Sequence, residues 1–275
     1  MSARPSNRPI TPGRIRANRW ILGFTRHWVR VLLVIIGLYS TLPLVAPTLM
    51  RVGARDLAQV LYTFYSPFCH QFAFRSLFLF GEQAAYPRSI SESGLRSFED
   101  AVQGSPEWQS AVEQALIWRY GSVDAGQLQA FDPYQFDITL QIAARYFPGN
   151  EQMGYKTALC ARDVAIYLAM FIGGLVYSLP AIRRRLRPAP IWLYVLLGLG
   201  PIGIDGVSQL LGYILVGNPP MSLWAARETT PFFRILTGVV FGLMNIWIGF
   251  PYLELSMRES RDRILEKFAK LGISA

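Results

Sequence analysis

The stretch "VAIYLAMFIGGLVYSLPAIRRRLR" (164–187) decides the fold. An apolar run from 164 to 182 meets four arginines within the next five residues, with no spacer between them. An α-helix rises about 1.5 Å per residue, so roughly 20 apolar residues cross the hydrocarbon core of a bilayer. Within such a helix every interior backbone N–H and C=O is satisfied by the segment itself. The arginines then mark the side on which the crossing ends, because Lys and Arg accumulate on the cytoplasmic side.

Three further runs fit the same description: "WVRVLLVIIGLYSTLPLVAPTLM" (28–50), "PIWLYVLLGLGPIGIDGVSQLLGYILVG" (190–217) and "FFRILTGVVFGLMNIWIGFPYLEL" (232–255). Ahead of the first lies a segment with Arg4, Arg8, Arg14, Arg16, Arg19, Arg26 and Arg30 and no acidic residue. Behind the last lies a tail with Arg258, Arg261, Arg263, Lys267 and Lys270. Placing all three basic segments on one side gives four crossings of the cytoplasmic membrane with both termini in the cytoplasm. The leader and the first apolar run are too long for a cleaved signal peptide. The first crossing is therefore expected to be retained, with Pro43 and Pro47 kinking or ending it. Residues 1–27 read as disordered or as a polybasic stretch on the anionic membrane surface.

Composition supports this reading. Apolar residues make up 52% of the chain and charged residues 16%, against about 25% charged in soluble proteins. The net charge of +9 sits beside the apolar runs and forms no soluble basic face, which excludes nucleic acid as a partner. The lipid bilayer is the expected partner, together with other membrane proteins. Two cysteines make no disulfide framework, and no phosphate loop, GxSxG, HExxH or CxxC motif occurs.

The segment 56–80 is apolar but carries Pro67 and Cys69-His70-Gln71 at its middle. A fifth crossing there would put the 183–187 arginines outside, so a re-entrant or interfacial helical segment at the outer face is expected. The long loop 82–159 holds two helical patterns. One covers 105–121 behind Ser105, and the other covers 132–149 with Asp132 as N-cap and Gly149 past its end. The expected fold is an all-α integral membrane bundle of about four transmembrane helices with a re-entrant or interfacial segment and a small extracytoplasmic helical insert. Its divisions are a basic N-terminus (1–27), a first crossing with the Cys-His segment (28–81), the insert (82–159), a three-helix core (160–255) and a basic tail (256–275).

This threading gathers the costly polar residues in one outer layer. Cys69, His70, Gln71 and Arg75 lie there, as do Cys160, Arg162 and Asp163 at the start of the second crossing. Asp205 and Gln209 come from the third crossing, and Arg227, Glu228, Arg234 and Thr237 from the approach to the fourth. An ionisable group inside a crossing needs a partner or water and marks a functional site. Asp205 is expected to pair with Arg234 or Arg162. As a catalytic set, Asp205 or His70 would be the general base, and Arg234 with Arg162 would hold a phosphate or carboxylate. The same Asp205–Gln209 pair also reads as an interhelical hydrogen bond.

Cys69, His70, Cys160 and Asp163 admit three readings. Cys, His and carboxylate ligands suit zinc or another divalent metal. A Cys69–Cys160 disulfide suits an oxidising compartment and would close a loop of about 90 residues, worth roughly 4–5 kcal/mol. The third reading is two packed thiols with a hydrogen-bonded histidine.

Cys69-His70-Gln71 with Arg75-Ser76, then Cys160 to Tyr167, Pro201 to Gln209, and Arg234 to Gly242 together resemble the domain-of-unknown-function 2085 family of predicted bacterial and archaeal membrane proteins. The resemblance implies a polytopic membrane protein and no particular activity. Many relatives look like Cys at the position of Asp163; the Asp here suits a mixed thiolate and carboxylate site. The expected function is a membrane-embedded, metal-holding site that opens to the outer face and acts on a lipid or lipid-linked substrate. The alternative is a transporter subunit or an assembly factor of a larger membrane complex.

Overall fold

A computed structural model describes residues 11–215 and 227–274. Helix α1 (Pro12–Arg51) leads through a short turn to α2 (Arg55–Tyr65) and then to strand β1 (Ser76–Leu79). The insert follows with α3 (Pro106–Tyr120), α4 (Ile138–Tyr146), β2 (Gly149–Asn150) and β3 (Gly154–Cys160). Helix α5 (Ala161–Ser178) then runs to the short α6 (Pro180–Arg185). A short turn (Ile191–Leu193) and a π-helical stretch (Tyr194–Leu199) open α7 (Gly200–Leu215), and α8 (Pro231–Lys270) closes the chain. Four of these helical segments are long and apolar enough to cross a membrane: Pro12–Arg51, Ala161–Ser178, Ile191–Gly212 and Pro231–Lys270.

Helix α1 starts at Pro12, so the basic stretch 12–27 is helical rather than disordered; the disorder expected for 1–10 lies outside the described residues. Proline at the first helical position costs nothing, since that N–H has no helical partner. Pro43 and Pro47 do not end α1, which runs on to Arg51. A proline at i removes the donor for the carbonyl at i−4. The carbonyl Pro43 leaves over is that of Tyr39, and the Tyr65 hydroxyl of α2 donates to it at 2.8 Å. Pro251 in α8 repeats the device: its orphaned carbonyl, Trp247, accepts from the Ala189 backbone N–H at 3.3 Å. Pro43 and Pro251 thus make room for a bond to another element.

Helices α5 and α8 meet at backbone distance. A Cβ at Gly242 would lie 2.3 Å from the Ile166 carbonyl, and one at Gly238 would lie 2.7 Å from the Arg162 carbonyl. Gly238 and Gly242 form a GxxxG stripe, the spacing that lets membrane helices approach closely. On α5 the stripe faces Ala165 and Ala169. Arg234, one turn before Gly238, is thereby brought beside the start of α5.

The helices alternate in direction, and the two ends of the bundle differ. At one end the first turns of α1 meet the residues after α8: Arg19 donates to the Ser274 carbonyl at 3.2 Å. Glu254 there accepts from the Trp28 indole at 3.0 Å, from Arg183 at 2.9 and 2.5 Å, and from Arg258 at 2.7 Å. Trp28 packs edge-on to Phe250 nearby, centroids 5.3 Å apart. The insert occupies the other end with its own core of Phe72, Phe74, Phe78, Phe98, Trp108, Leu140 and Phe147.

The insert is not wholly helical. The strands form an antiparallel sheet in the order β1-β3-β2, with Ser76 opposite Cys160 and Phe78 opposite Lys156. The second half of the expected re-entrant segment is therefore a loop and a strand. Strand β3 hides from a period-two reading because Thr157, Ala158 and Leu159 are all buried, on both faces, with Lys156 among them. Helix α3 begins behind Ser105, whose hydroxyl accepts from the Trp108 N–H, and ends at Gly121 as expected. Helix α4 starts at Ile138, capped by Asp137 rather than Asp132. Asp132 instead accepts from the Tyr134 N–H at 2.9 Å in a tight turn, a competing use of the same side chain.

Candidate functional site at the insert end

Sheet register sets the geometry. Pairing Ser76 with Cys160 brings the loop that carries Cys69 against the junction of β3 and α5. Cys69 Sγ accepts two backbone N–H groups, from Cys160 at 3.3 Å and from Gln71 at 3.4 Å. Gln71 reaches that position in a left-handed conformation, φ +57°, unusual for a side-chain-bearing residue. Its buried carboxamide holds the loop in place by donating to the Tyr62 and Ala158 carbonyls, both at 2.8 Å.

Cys160 is the N-cap of α5, and its thiol donates to Asp163 Oδ2 at 3.0 Å. Sγ of Cys69, Sγ of Cys160 and a carboxylate oxygen of Asp163 all lie within 4.8 Å of one another. The two cysteines are free, not joined in a disulfide. His70 does not join this cluster. It is exposed, its ring 5.2 Å from that of Phe72, and it lines a separate cleft of about 1060 Å³ between α2, α3 and α4.

Beneath the cleft lies a residue that sequence reasoning overlooked. Lys156 is buried, and its ammonium donates to the carbonyls of Gln71 at 2.8 Å, Ala144 at 3.0 Å and Arg145 at 2.6 Å. Burial pushes its pKa down to about 7.

The second half of the layer is a network of arginines and carboxylates. Asp205 pairs with Arg162 on one oxygen. On the other it accepts from Arg227 at 2.9 Å and from the Thr229 hydroxyl at 2.5 Å. Arg227 also donates to the Ser208 hydroxyl at 2.9 Å. Gln209 donates to Thr229, and accepts from Arg234 at 3.2 Å. Arg234, buried, pairs with Glu228, and Arg75 holds the same carboxylate by two bonds at 2.8 and 3.0 Å.

Of the two partners expected for Asp205, Arg162 is the one in contact; Arg234 goes to Glu228, six residues before it on the approach to α8. Thr237 falls outside the layer, donating to the carbonyls of Phe233 and Arg234 in its own helix. Thr229 and Ser208 are members not anticipated. The place of Thr229 beside Arg227 and Glu228 in "RETT" was the available signal.

Four guanidinium groups share two carboxylates, while Asp163 is held by the Cys160 thiol. Residues 216–226 supply no Asp or Glu. Arg162 Nε is buried with no hydrogen-bond partner among the described residues, and the Arg227 side chain is 51% exposed.

Comparison with known proteins places this layer. The chain is similar to an uncharacterised protein of Methanocaldococcus jannaschii, 26% identical over 98 residues, which covers 36% of this chain and 54% of that protein. The chain thus matches about half the length of this relative. No solved structure matches it. The segment with Cys69 to Arg75 lies outside the stretch recognised by a family model, whereas Cys160, Arg162, Asp163, Asp205, Gln209, Arg227, Glu228 and Arg234 lie inside it. Residues 152–248, from the end of the insert to the middle of α8, match the family of predicted membrane proteins designated DUF2085.

Proposed function

We propose that this multi-pass protein of the cytoplasmic membrane, with both termini in the cytoplasm, binds the phosphate-bearing headgroup of a lipid or lipid-linked substrate at its extracytoplasmic face. The observation that carries this reading is that Arg162 and Arg227 share the single carboxylate of Asp205, with Arg162 Nε buried and unpartnered among the described residues and the Arg227 side chain 51% exposed. One carboxylate balances one of these two guanidinium groups, and an anion at the half-exposed Arg227 completes the other. Arginine is suited to that anion, because its planar fork matches phosphate oxygens. Arg162, Asp205 and Arg234 sit on helices long enough to span the bilayer, so a headgroup reaches them from the membrane surface.

Within this reading Asp205 is a positioning residue. Arginines and Thr229 already occupy both of its oxygens, which suits holding guanidinium groups better than accepting a substrate proton. His70 lies in the separate cleft and takes no part in this reading.

The test is equilibrium binding of short-chain phosphatidate, short-chain phosphatidylcholine and inorganic phosphate to the purified full-length chain and its Arg227→Gln variant. Saturable phosphatidate binding, weakened at least about tenfold by the variant (about 1.4 kcal/mol) with little change in melting temperature, is expected. Binding of inorganic phosphate alone would reassign the site to a free anion. Binding indifferent to Arg227, or none at all, removes the proposal and favours a scaffold or transporter-subunit role.

A further inference from the structure

We infer that Cys69, Cys160 and Asp163 form a three-ligand site for zinc or a zinc-like divalent ion, with the fourth tetrahedral position left to water or a substrate atom. This goes beyond the anion site, which rests on different residues and stands or falls separately. Three observations converge on it.

The first is distance. At metal–sulfur and metal–oxygen lengths of about 2.3 and 2.1 Å, tetrahedral ligand atoms sit roughly 3.5–3.8 Å apart. The three side chains already place theirs within 4.8 Å, with Cys160 Sγ and Asp163 Oδ2 at 3.0 Å. Small side-chain rotations complete the set.

The second is preorganisation of the Cys69 sulfur. Two backbone N–H groups point at it, one of them from a residue held at φ +57°. A neutral thiol is a weak acceptor, whereas a thiolate gains from both donors. Strained backbone of this kind persists only where the surroundings impose it, and it gathers at ligand sites. Here the clamp is visible: the Gln71 carboxamide spans the Tyr62 and Ala158 carbonyls. Such outer partners orient metal ligands.

The third is the helix. Cys160 caps α5 and Asp163 lies in its first turn, where the helix field favours the anionic ligands that a divalent ion requires. Binding displaces the thiol protons to water; nothing is oxidised. His70, expected as a ligand, is not needed: its exposed ring lies apart in the cleft.

The experiment uses the full-length chain, reduced and metal-stripped, titrated with zinc and separately with cobalt(II). One ion per chain is expected, with both thiols protected from alkylation and a thiolate-to-cobalt charge-transfer band. Cys69→Ser and Cys160→Ser should abolish the band. Asp163→Asn should weaken binding by at least roughly tenfold, the lower end of what even outer partners contribute. His70→Ala should bind as the parent does. Should the cysteine variants not fold, the cobalt spectrum of the parent chain together with the His70→Ala result still decides. Reduced thiols that bind neither ion overturn the proposal. So does a Cys69–Cys160 disulfide in protein isolated without reductant that reduction does not convert to a metal-binding form. Loss of the ion in His70→Ala overturns the three-ligand arrangement.

Discussion

Asp205 of the third crossing holds Arg162 of the second on one carboxylate oxygen and Arg227, from the approach to the fourth, on the other. One side chain therefore ties three crossings together at the insert end. Asp205 and Arg162 are largely buried, their side chains 8% and 14% exposed, so their pairing is scarcely screened by water. Removing one partner of such a pair strands the other charge.

Asp205→Asn is accordingly expected to destabilise the chain by about 3–5 kcal/mol, read as reduced yield and an earlier thermal unfolding transition in detergent. Arg227→Gln, at a half-exposed position, should cost less than about 1 kcal/mol. Equal stability losses in the two variants would contradict this division of roles.

At the opposite end Glu254 does the corresponding work, joining Trp28, Arg183 and Arg258. A double-mutant cycle of Glu254→Gln with Arg183→Gln should return a coupling of about 0.5–3 kcal/mol, the range for residues within one network. A coupling near zero would mean that the arginine run after α5 contributes only to orientation.

Gly242→Ala would place a methyl 2.3 Å from the Ile166 carbonyl. Because the obstacle is backbone, the helices must separate. A loss of about 1–3 kcal/mol, the usual cost of overpacking, is expected, with little effect from Gly249→Ala, where nothing lies within 4 Å. Thermal unfolding of both variants checks this; equal effects would show that α5 and α8 are not in backbone contact.

Lys156 supplies a pH signature. Its folded-state pKa is lowered to about 7 from 10.5 by burial, with Arg145 lowering it further, Cys69 raising it, and the Tyr62 ring 6.0 Å away. Above about pH 7 the folded chain releases this proton, while the unfolded chain keeps it until about 10.5. The unfolded state then binds more protons, so stability rises with pH across that window and is flat, for this group, below it. Lys156→Met should flatten the rise measured by thermal unfolding between pH 7 and 10. It should also lower stability, because the carbonyls of Gln71, Ala144 and Arg145 lose their donor at about 1–3 kcal/mol each. A rise that persists in the variant would assign it to another group.

The crossings were legible because twenty-residue apolar runs bounded by arginine have few alternatives. Part of the polar layer was legible for a related reason: in a segment that must be apolar, Asp205 and Arg234 stand out, whereas Thr229 and the outlying Thr237 do not. Their pairing was not. Whether Arg162 or Arg234 meets Asp205 depends on helix rotation, which the Gly238–Gly242 stripe sets through backbone contact and which charge pattern does not encode. Cys69 and Cys160 could be placed on one face, but His70 could not be separated from Cys69 by sequence; the turn at Gln71 does that. The sheet was missed because β3 is buried on both sides and β1 lies inside an apolar segment that also suits a helix. Lys156 and Glu254 were passed over as ordinary charges, since nothing local distinguishes a buried charge from a solvated one.

The central claim is that the insert, with its polar layer, faces away from the cytosol. Trp118 on α3 is 62% exposed and far in sequence from both native thiols. A cysteine placed there by Trp118→Cys should react with a membrane-impermeant maleimide in intact cells (or in spheroplasts, where an outer envelope blocks the reagent), as the account predicts. Labelling only after the cytoplasmic membrane is permeabilised would contradict it.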